Sequence, residues 1–352
     1  MEKDASPNIP FIDIREAFPE DIAAVMQEIG EPAFRGEQIF AWLQREAATD
    51  WAQMTNISKA LRRRLEELWP LVRPALLKRQ ASADGTIKYL FALADGQKIE
   101  SVLMSQKEET GHIRHTVCLS CQVGCAMGCS FCSTATLGFR RNLTPGEIVS
   151  QILEIAASER LTIHNAVYMG MGEPLLNEEA LRKSIGLLNH PLGQNIGIRR
   201  ISVSTCGLPD GIRRLADWGL DVVLAVSLHA ADDATRSRLM PVNARYPLDT
   251  LLAACRDYNE ITGKRLTFEY VMIEGVNVGE EAVAALGRLL AGVSCNINLI
   301  PVNPGAHGYA RPNKRGQESF CKALEKAGLD AVIRRERGAD VGGACGQLAA
   351  GT

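Results

Sequence analysis

Beyond His112 the sequence alternates six times between a short β-rich run and an amphipathic stretch of helical spacing, an order that few folds accommodate. The β-rich runs occupy 113–119, 165–169, 200–204, 222–227, 266–272 and 296–300, and the helical candidates 145–157, 178–188, 211–218, 248–258, 280–290 and 317–327. Strand-then-helix units in series build a parallel sheet with right-handed crossovers. Six units fall short of the eight that close a barrel. The predicted fold class is therefore α/β, an open, partial (β/α)6 TIM-like barrel.

Upstream, Ile22, Val25, Met26 and Ile29 recur at helical spacing, 38–43 continues the pattern, and Ser58 is placed to cap a helix through Leu68. Two apolar, partly alternating runs, 86–93 and 98–104, flank Asp95-Gly96, a hairpin turn signal. The expected organisation is a helical accessory domain over 1–80, a β-hairpin linker over 81–110, the partial barrel over 111–335 and a C-terminal tail over 336–352.

A chain of 352 residues, 46% hydrophobic and 23% charged, can bury a substantial core. Residues 1–10 lack an apolar export segment and no eighteen apolar residues run uninterrupted, so the expectation is a soluble cytoplasmic protein with no membrane partner. A net charge of -2 argues against a coat of positive potential. Basic residues are nevertheless bunched at Lys59, Arg62, Arg63 and Arg64, at Arg140 and Arg141, and at Arg334, Arg335 and Arg337. Each run fits either a solvated face or a local phosphate-holding patch.

Cysteine usage is the sharpest chemical signal. In a long chain exposed to cellular reductants, ten cysteines point to metal binding or catalysis ahead of a disulfide framework. Cys125, Cys129 and Cys132 stand with three and then two residues between them in a loop of small residues after the first run. Three thiolates supplied to a four-iron cluster, which ordinarily takes four, leave one iron open for chemistry. A zinc knuckle needs a fourth ligand beyond these three, such as Cys118, Cys121 or His115. The iron cluster is the better reading.

Barrels collect functional groups where their strands end. The second run ends in Gly170-Met-Gly172-Glu173-Pro174, the third in Ser204-Thr205, the fourth in Ser227-Leu228-His229 and the sixth in Pro301-Val302-Asn303. Each alone fits an ordinary cap or turn, and the recurrence is what points to a site. Cys118 ends the first run, and Cys345 lies among small residues in the tail. A loop of small residues can enter a tight site, and a terminal thiol can equally be incidental.

The C-x3-C-x2-C loop after the first strand resembles the signature of radical S-adenosylmethionine (SAM) enzymes. The wider set Phe34-Arg35, Gln38-Ile39-Phe40, Cys118-Leu-Ser120-Cys121-Gln122, Phe131-Cys132-Ser133-Thr134, Gly172-Glu173-Pro174 and Ala344-Cys345-Gly346-Gln347 is similar to the RlmN/Cfr family of RNA methyltransferases. Cys121 departs from the family, which usually has Ser or Thr there.

The resemblance implies a 4Fe-4S cluster on Cys125, Cys129 and Cys132, and two SAM molecules consumed per methylation. Gly172 and Glu173 would bind the SAM amino group, with Ser204, Ser227, Leu228, His229 and Asn303 on its other parts. It further implies that Cys345 carries the methyl group, that Cys118 releases the product through a transient Cys118-Cys345 disulfide, and that Glu100 accepts the ring proton. From the residues alone, Glu100 fits an exposed hairpin carboxylate as well.

Implied substrates are an adenosine of 23S rRNA at the peptidyl transferase centre and the adenosine 3' of the anticodon in tRNA. Implied partners are a flavodoxin-like one-electron reductant and a thiol reductant. Methylation at adenine C2 is favoured, and the Cfr-type reaction at C8 shares the same cysteines. A non-catalytic RNA-binding protein stabilised by a metal is the alternative of a different class.

Overall fold

Three short helices lead the chain, the first and third each begun by a residue suited to it. The computed structural model describes residues 13–303 and 308–349, so the 1–10 segment and the last three tail positions lie outside the described residues. Helix α1 (Pro19–Glu28) has Pro at its first turn, and Asp21 accepts a hydrogen bond from the Phe18 amide at 3.0 Å. Helix α2 is Arg35–Gln44, and in α3 (Lys59–Leu68) the Ser58 hydroxyl accepts from the Leu61 amide at 3.2 Å. Their apolar stripes, Ile22, Val25 and Met26, then Ile39, Phe40 and Leu43, then Leu61 and Leu65, are buried.

Strands β1 (Ala75–Ala81), β2 (Ile87–Ala92), β3 (Lys98–Lys107) and β4 (Ile113–Cys118) pair antiparallel in succession. The expected hairpin is thus more than a linker: it belongs to the main sheet, and 75–81, inside the expected helical span, adds a third antiparallel strand. Strand β1 is almost wholly exposed. It lies on an edge with little to bury, so its sequence carries no two-residue alternation.

After β4 come a small antiparallel pair, β5 (Gln122–Gly124) and β6 (Phe139–Asn142), and then the β/α units. These are α4 (Pro145–Glu159), β7 (Asn165–Tyr168), α5 (Glu178–Asn189), β8 (Ile201–Thr205), α6 (Pro209–Asp217), β9 (Val223–Ser227), α7 (Asp233–Leu239), α8 (Leu248–Thr262), β10 (Leu266–Met272), α9 (Glu280–Leu289), β11 (Cys295–Pro301), α10 (Lys314–Lys326) and β12 (Ala331–Ile333). The sheet runs β1-β2-β3-β4-β7-β8-β9-β10-β11-β12, parallel from β4 onward, and its two edges do not meet. All six expected β-rich runs are strands, and each expected helical stretch is a helix. Strand β12 is a seventh parallel strand whose three residues are too few to show a period.

Strand β4 joins the two halves, since Cys118 pairs with Val102 of antiparallel β3 on one side and Val167 of parallel β7 on the other. Strands β4 to β11 all point their carboxyl ends to one rim. Among the described residues no helix is long and apolar enough to cross a membrane.

Helices α1 and α2 touch at Gly36, where a Cβ would lie 2.4 Å from the Pro19 carbonyl oxygen and 2.7 Å from the Ala23 nitrogen. Helix propensity alone favours Ala over Gly; backbone contact this close reverses the sign. Gly36→Ala is expected to destabilise the helical region by about 1–3 kcal/mol, the usual range for overpacking. Chemical denaturation with hydrogen exchange over 19–44 reads this, and an unchanged or raised midpoint contradicts it.

Candidate functional site

The loop between β5 and β6 is closed at its base, where the Cys125 amide donates to the Gly138 carbonyl at 3.1 Å, and pinned at its centre, where the Ser130 amide donates to the Leu239 carbonyl at 2.9 Å. These ties hold Cys125, Cys129 and Cys132 on the wall of a cleft with about 920 Å3 of open space at the rim of the parallel strands. Burial pushes the Cys125 thiol up to about 11 and raises Cys129 as well, with each neighbouring sulfur adding to the effect. Such thiols ionise when a metal centre takes up their charge. Among the described residues no three His, Cys, Asp or Glu side chains are grouped around one ion position. Three thiolates that each bind a different iron of a cluster have no need of that grouping, so the donor set fits a cluster.

Cys121 does not join them. It is buried in the core, its sulfur 3.6 Å from the Met171 carbonyl oxygen as donor and its amide bonded to the same carbonyl at 2.9 Å. It behaves as a compact apolar residue.

Glu173 lies opposite the thiols, only 3% exposed, with one oxygen accepting from the Cys206 amide at 2.7 Å and the other from the Leu175 amide at 3.0 Å. Burial raises its pKa, and hydrogen bonds from the Cys206 amide and thiol, the Leu175 amide and the Thr205 hydroxyl oppose that rise. A buried carboxylate on the cleft wall can accept from a cationic ligand. Gly172, at φ +106°, brings its backbone so near Gln122 that a Cβ would sit 2.6 Å from the glutamine Cβ. Ser204 and Ser227 line the same cleft. His229, in the left-handed region at φ +58°, accepts from the Val271 amide at Nδ1, which assigns the proton to Nε2. Burial, helped by Arg236, lowers its pKa to about 3, so the ring is neutral.

These strand ends share a clamp. Arg236, wholly buried, donates to the carbonyls of Leu228 at 3.1 Å, Cys206 at 2.8 Å and Ser227 at 3.1 Å, and to Asn243 Oδ1 at 2.8 Å. The Leu228 side chain is buried and is not among the residues lining the cleft, and its amide and carbonyl are both engaged.

Asn303 lines a second lobe of the cleft, shared with Val102, Met104, Cys118, Arg334 and Cys345. Its Nδ2 donates to the Cys345 carbonyl at 2.8 Å, and its buried Oδ1 has no hydrogen-bond partner. The tail around Cys345 is docked. The Ser133 amide donates to the Gly346 carbonyl at 2.7 Å, Thr134 Oγ1 to the Leu348 carbonyl at 2.7 Å, and the Ala349 amide to Glu100 Oε2 at 2.8 Å. Cys345 itself remains exposed.

Glu100 is no exposed hairpin residue. It is 1% exposed and paired with Lys88 at 3.1 Å. It shares a strand face with Val102 and Met104 yet is not among the residues lining either lobe.

Arg334 was read as part of a surface basic run; it lines both lobes instead, 3.8 Å from Glu269 and 3.7 Å from the Met169 sulfur. Two signals could have exposed this site: an acid in the middle of the apolar run Leu266–Met272, and an arginine directly after a short apolar triplet, the strand-end position where barrels place function. Arg141 likewise serves structure, paired with Asp95 and Glu147 at 2.7 Å each.

Comparison with known proteins agrees with this geometry. The radical SAM superfamily model matches residues 119–287, and the ribosomal RNA large subunit methyltransferase N-terminal domain matches residues 12–70. The chain is 50% identical over 342 residues to the probable dual-specificity RNA methyltransferase RlmN of Heliobacterium modesticaldum, covering 96% of this chain and 89% of that one. It is 45% identical over 346 residues to the protein of the same description from Desulfitobacterium hafniense strain DSM 10664 / DCB-2, covering 96% of each. The crystal structure of a radical SAM methyltransferase from Sphaerobacter thermophilus superposes with a TM-score of 0.91 at 44% identity, covering 97% of this chain and 100% of that one.

The placement of Cys121 in the core has a direct consequence. Cys121→Ser is expected to keep iron and sulfide content at the wild-type level, whereas Cys129→Ala loses most of both. Loss of iron in the Cys121 variant would make that residue a ligand.

Proposed function

Since the chain belongs to the RlmN family of radical SAM RNA methyltransferases, we propose that it methylates carbon 2 of an adenine in RNA, with Cys345 as the methyl carrier and Cys118 as the releasing thiol. One observation carries this reading: a thiol from the C-terminal tail and a thiol from the first parallel strand line a single recess that opens onto the three-cysteine loop.

Carbon 2 of adenine is electron-poor and carries no acidic proton, so direct transfer from a sulfonium methyl finds no nucleophile there. Hydrogen abstraction is the chemistry that remains. A cluster on Cys125, Cys129 and Cys132, when bound, supplies the electron that cleaves SAM to a 5'-deoxyadenosyl radical. Glu173 and the Gly172 backbone hold the SAM amino group, with Ser204, Ser227 and the neutral His229 donating to its other polar parts. Leu228 and Asn303 act at one remove, Leu228 through its clamped backbone and Asn303 by holding the Cys345 carbonyl.

The Cys345 thiolate takes a methyl group by displacement. After that S-methyl group loses hydrogen, its carbon bonds to the adenine, joining protein to RNA. Glu100 takes the ring proton as the adduct's unpaired electron passes back to a one-electron carrier of the class that supplied it, which leaves a closed-shell adduct. Its oxygens are held by Lys88 and the Ala349 amide, so accepting the proton exchanges one of these contacts and couples the step to the last residues of the tail. The Cys118 thiolate then attacks the Cys345 sulfur. The S–S bond forms as the S–CH2 bond breaks, the electron pair stays on carbon, and a proton completes the methyl group. A cellular thiol reductant returns both cysteines.

The substrates on this reading are 23S rRNA at the peptidyl transferase centre and the adenosine 3' of the anticodon in tRNA, in the cytoplasm, with a flavodoxin-like protein as electron donor. Splaying a base out of folded RNA costs a few kcal/mol. Exposed Lys59, Arg63 and Arg64 on α3 can hold the RNA backbone against that cost.

Anaerobic turnover with RNA, SAM and a reductant, followed by mass spectrometry against 2-methyl- and 8-methyladenosine standards, tests the reading. Product co-eluting with 8-methyladenosine would move the chain to the Cfr-type reaction. Cys345→Ala is expected to abolish methylation while the cluster stays intact, and normal turnover would remove that residue from the carrier role. Cys118→Ala is expected to trap RNA on the protein, and free product at the usual rate would remove it from release.

A further inference from the structure

Release requires Cys118 as a thiolate, since the protonated thiol is a poor nucleophile. Its surroundings oppose that form. Burial first, and the nearby Cys345 sulfur second, push Cys118 up to about 12, and the groups acting the other way are the Arg334 guanidinium and the Met169 amide. Arg334 comes from the residue after β12, its own amide tied to the Leu299 carbonyl at 2.8 Å. It is enclosed by protein on most sides yet open to the cleft, where it lines the same recess as both thiols. Its ion-pair partner across the cleft, Glu269, is only 4% exposed. One Glu269 oxygen accepts from Asn298 at 3.0 Å, and the other, 3.8 Å from Arg334, has no hydrogen bond. The pair is too long to saturate the guanidinium, whose five donors keep room for a second anion.

We propose that Arg334 is the charge partner of Cys118 in product release: its guanidinium holds the attacking thiolate, and Glu269 holds the guanidinium between the two lobes. The inference rests on the assignment of Cys118 as the releasing thiol. It gives a structural reason for a half-buried cysteine to be reactive at the moment the adduct forms. By then the Cys345 sulfur is a thioether, so its charge no longer competes for Arg334. The charged and titratable groups around Cys118 are Arg334 after β12, Glu269 on β10 acting through Arg334, Cys345 in the tail until it is alkylated, the Cys121 thiol, and Cys132, Arg335, Glu336 and Arg337 on the wall of the same recess.

Two measurements on the cluster-loaded enzyme test this. The first is the rate of iodoacetamide modification of Cys118, followed on its peptide by mass spectrometry from about pH 7 to about pH 10. Arg334→Gln is expected to slow it about ten-fold below the midpoint and move the profile up by about one pH unit. Arg334→Lys, which keeps the charge, is expected to stay within about three-fold of wild type. Identical profiles for wild type and Arg334→Gln overturn the proposal, and Arg334→Met serves if the Gln variant does not fold.

The second is the fraction of RNA left on the protein. Arg334→Gln is expected to accumulate the RNA adduct, to release it faster as pH rises, and still to form 5'-deoxyadenosine and S-methyl-Cys345. Loss of SAM cleavage in that variant overturns the proposal in favour of a cofactor-binding role. If the alkylation profile shifts but Cys118→Ala traps no RNA, the charge pairing stands and the release assignment falls. If Cys118→Ala traps RNA but Arg334→Gln neither traps it nor shifts the profile, the charge pairing falls alone.

Discussion

Hydrogen bonds donated by Asn303, Ser133 and Thr134 to tail carbonyls, and one from the Ala349 amide to the Glu100 carboxylate, hold residues 345–349 against the cleft, whose arrangement depends on them. Each bond is worth about 0.5–1.5 kcal/mol net, and burying Leu348 adds about 1.5–3 kcal/mol. Fixing a residue's backbone costs about 1–2 kcal/mol. For so short a segment these opposing terms are of similar size, and docking sits near balance. That suits a thiol that must meet a sulfonium methyl, then a nucleic-acid base, then a second thiol without leaving one recess.

The sheet supplies the rest by direction. With β4 to β11 parallel, every crossover returns the chain to the far end, and polar strand ends accumulate at one rim. Polar groups brought together this way need partners of their own, which Arg236 provides by gathering the carbonyls of Cys206, Ser227 and Leu228 on one buried guanidinium. Glu173 is satisfied in the same manner by two backbone amides. The rim is thereby rigid before any ligand arrives, which lowers the ordering cost of binding.

Much of this was legible in the residues. The six-fold alternation fixed the fold class because helical and strand periods differ and neither can be imitated by the other over a full unit. The cysteine spacing marked the metal loop, and the strand-end positions of Glu173, Ser204, Ser227 and His229 followed from the topology. What escaped has physical causes. Strand β1 is exposed on an edge and shows no alternation, and β12 is too short to show any. Without β12, Arg334 could not be placed at the rim and was grouped with its exposed neighbours. Glu100 and Asn303 were recognised as residues but not located: their contacts with Ala349 and Cys345 bridge segments far apart in the chain, which no local pattern encodes. Leu228 has the reverse explanation, an apolar side chain in the core whose backbone does the work.

The carrier role of Cys345 is tested most directly by an isotope in its methyl group. Enzyme whose Cys345 bears a trideuterated methyl is freed of labelled SAM and then given unlabelled SAM, reductant and RNA for a single turnover. Methyladenine carrying two deuterium atoms, with the third in 5'-deoxyadenosine, is the expected result. Unlabelled methyladenine, with the trideuterated methyl still on Cys345, would contradict it.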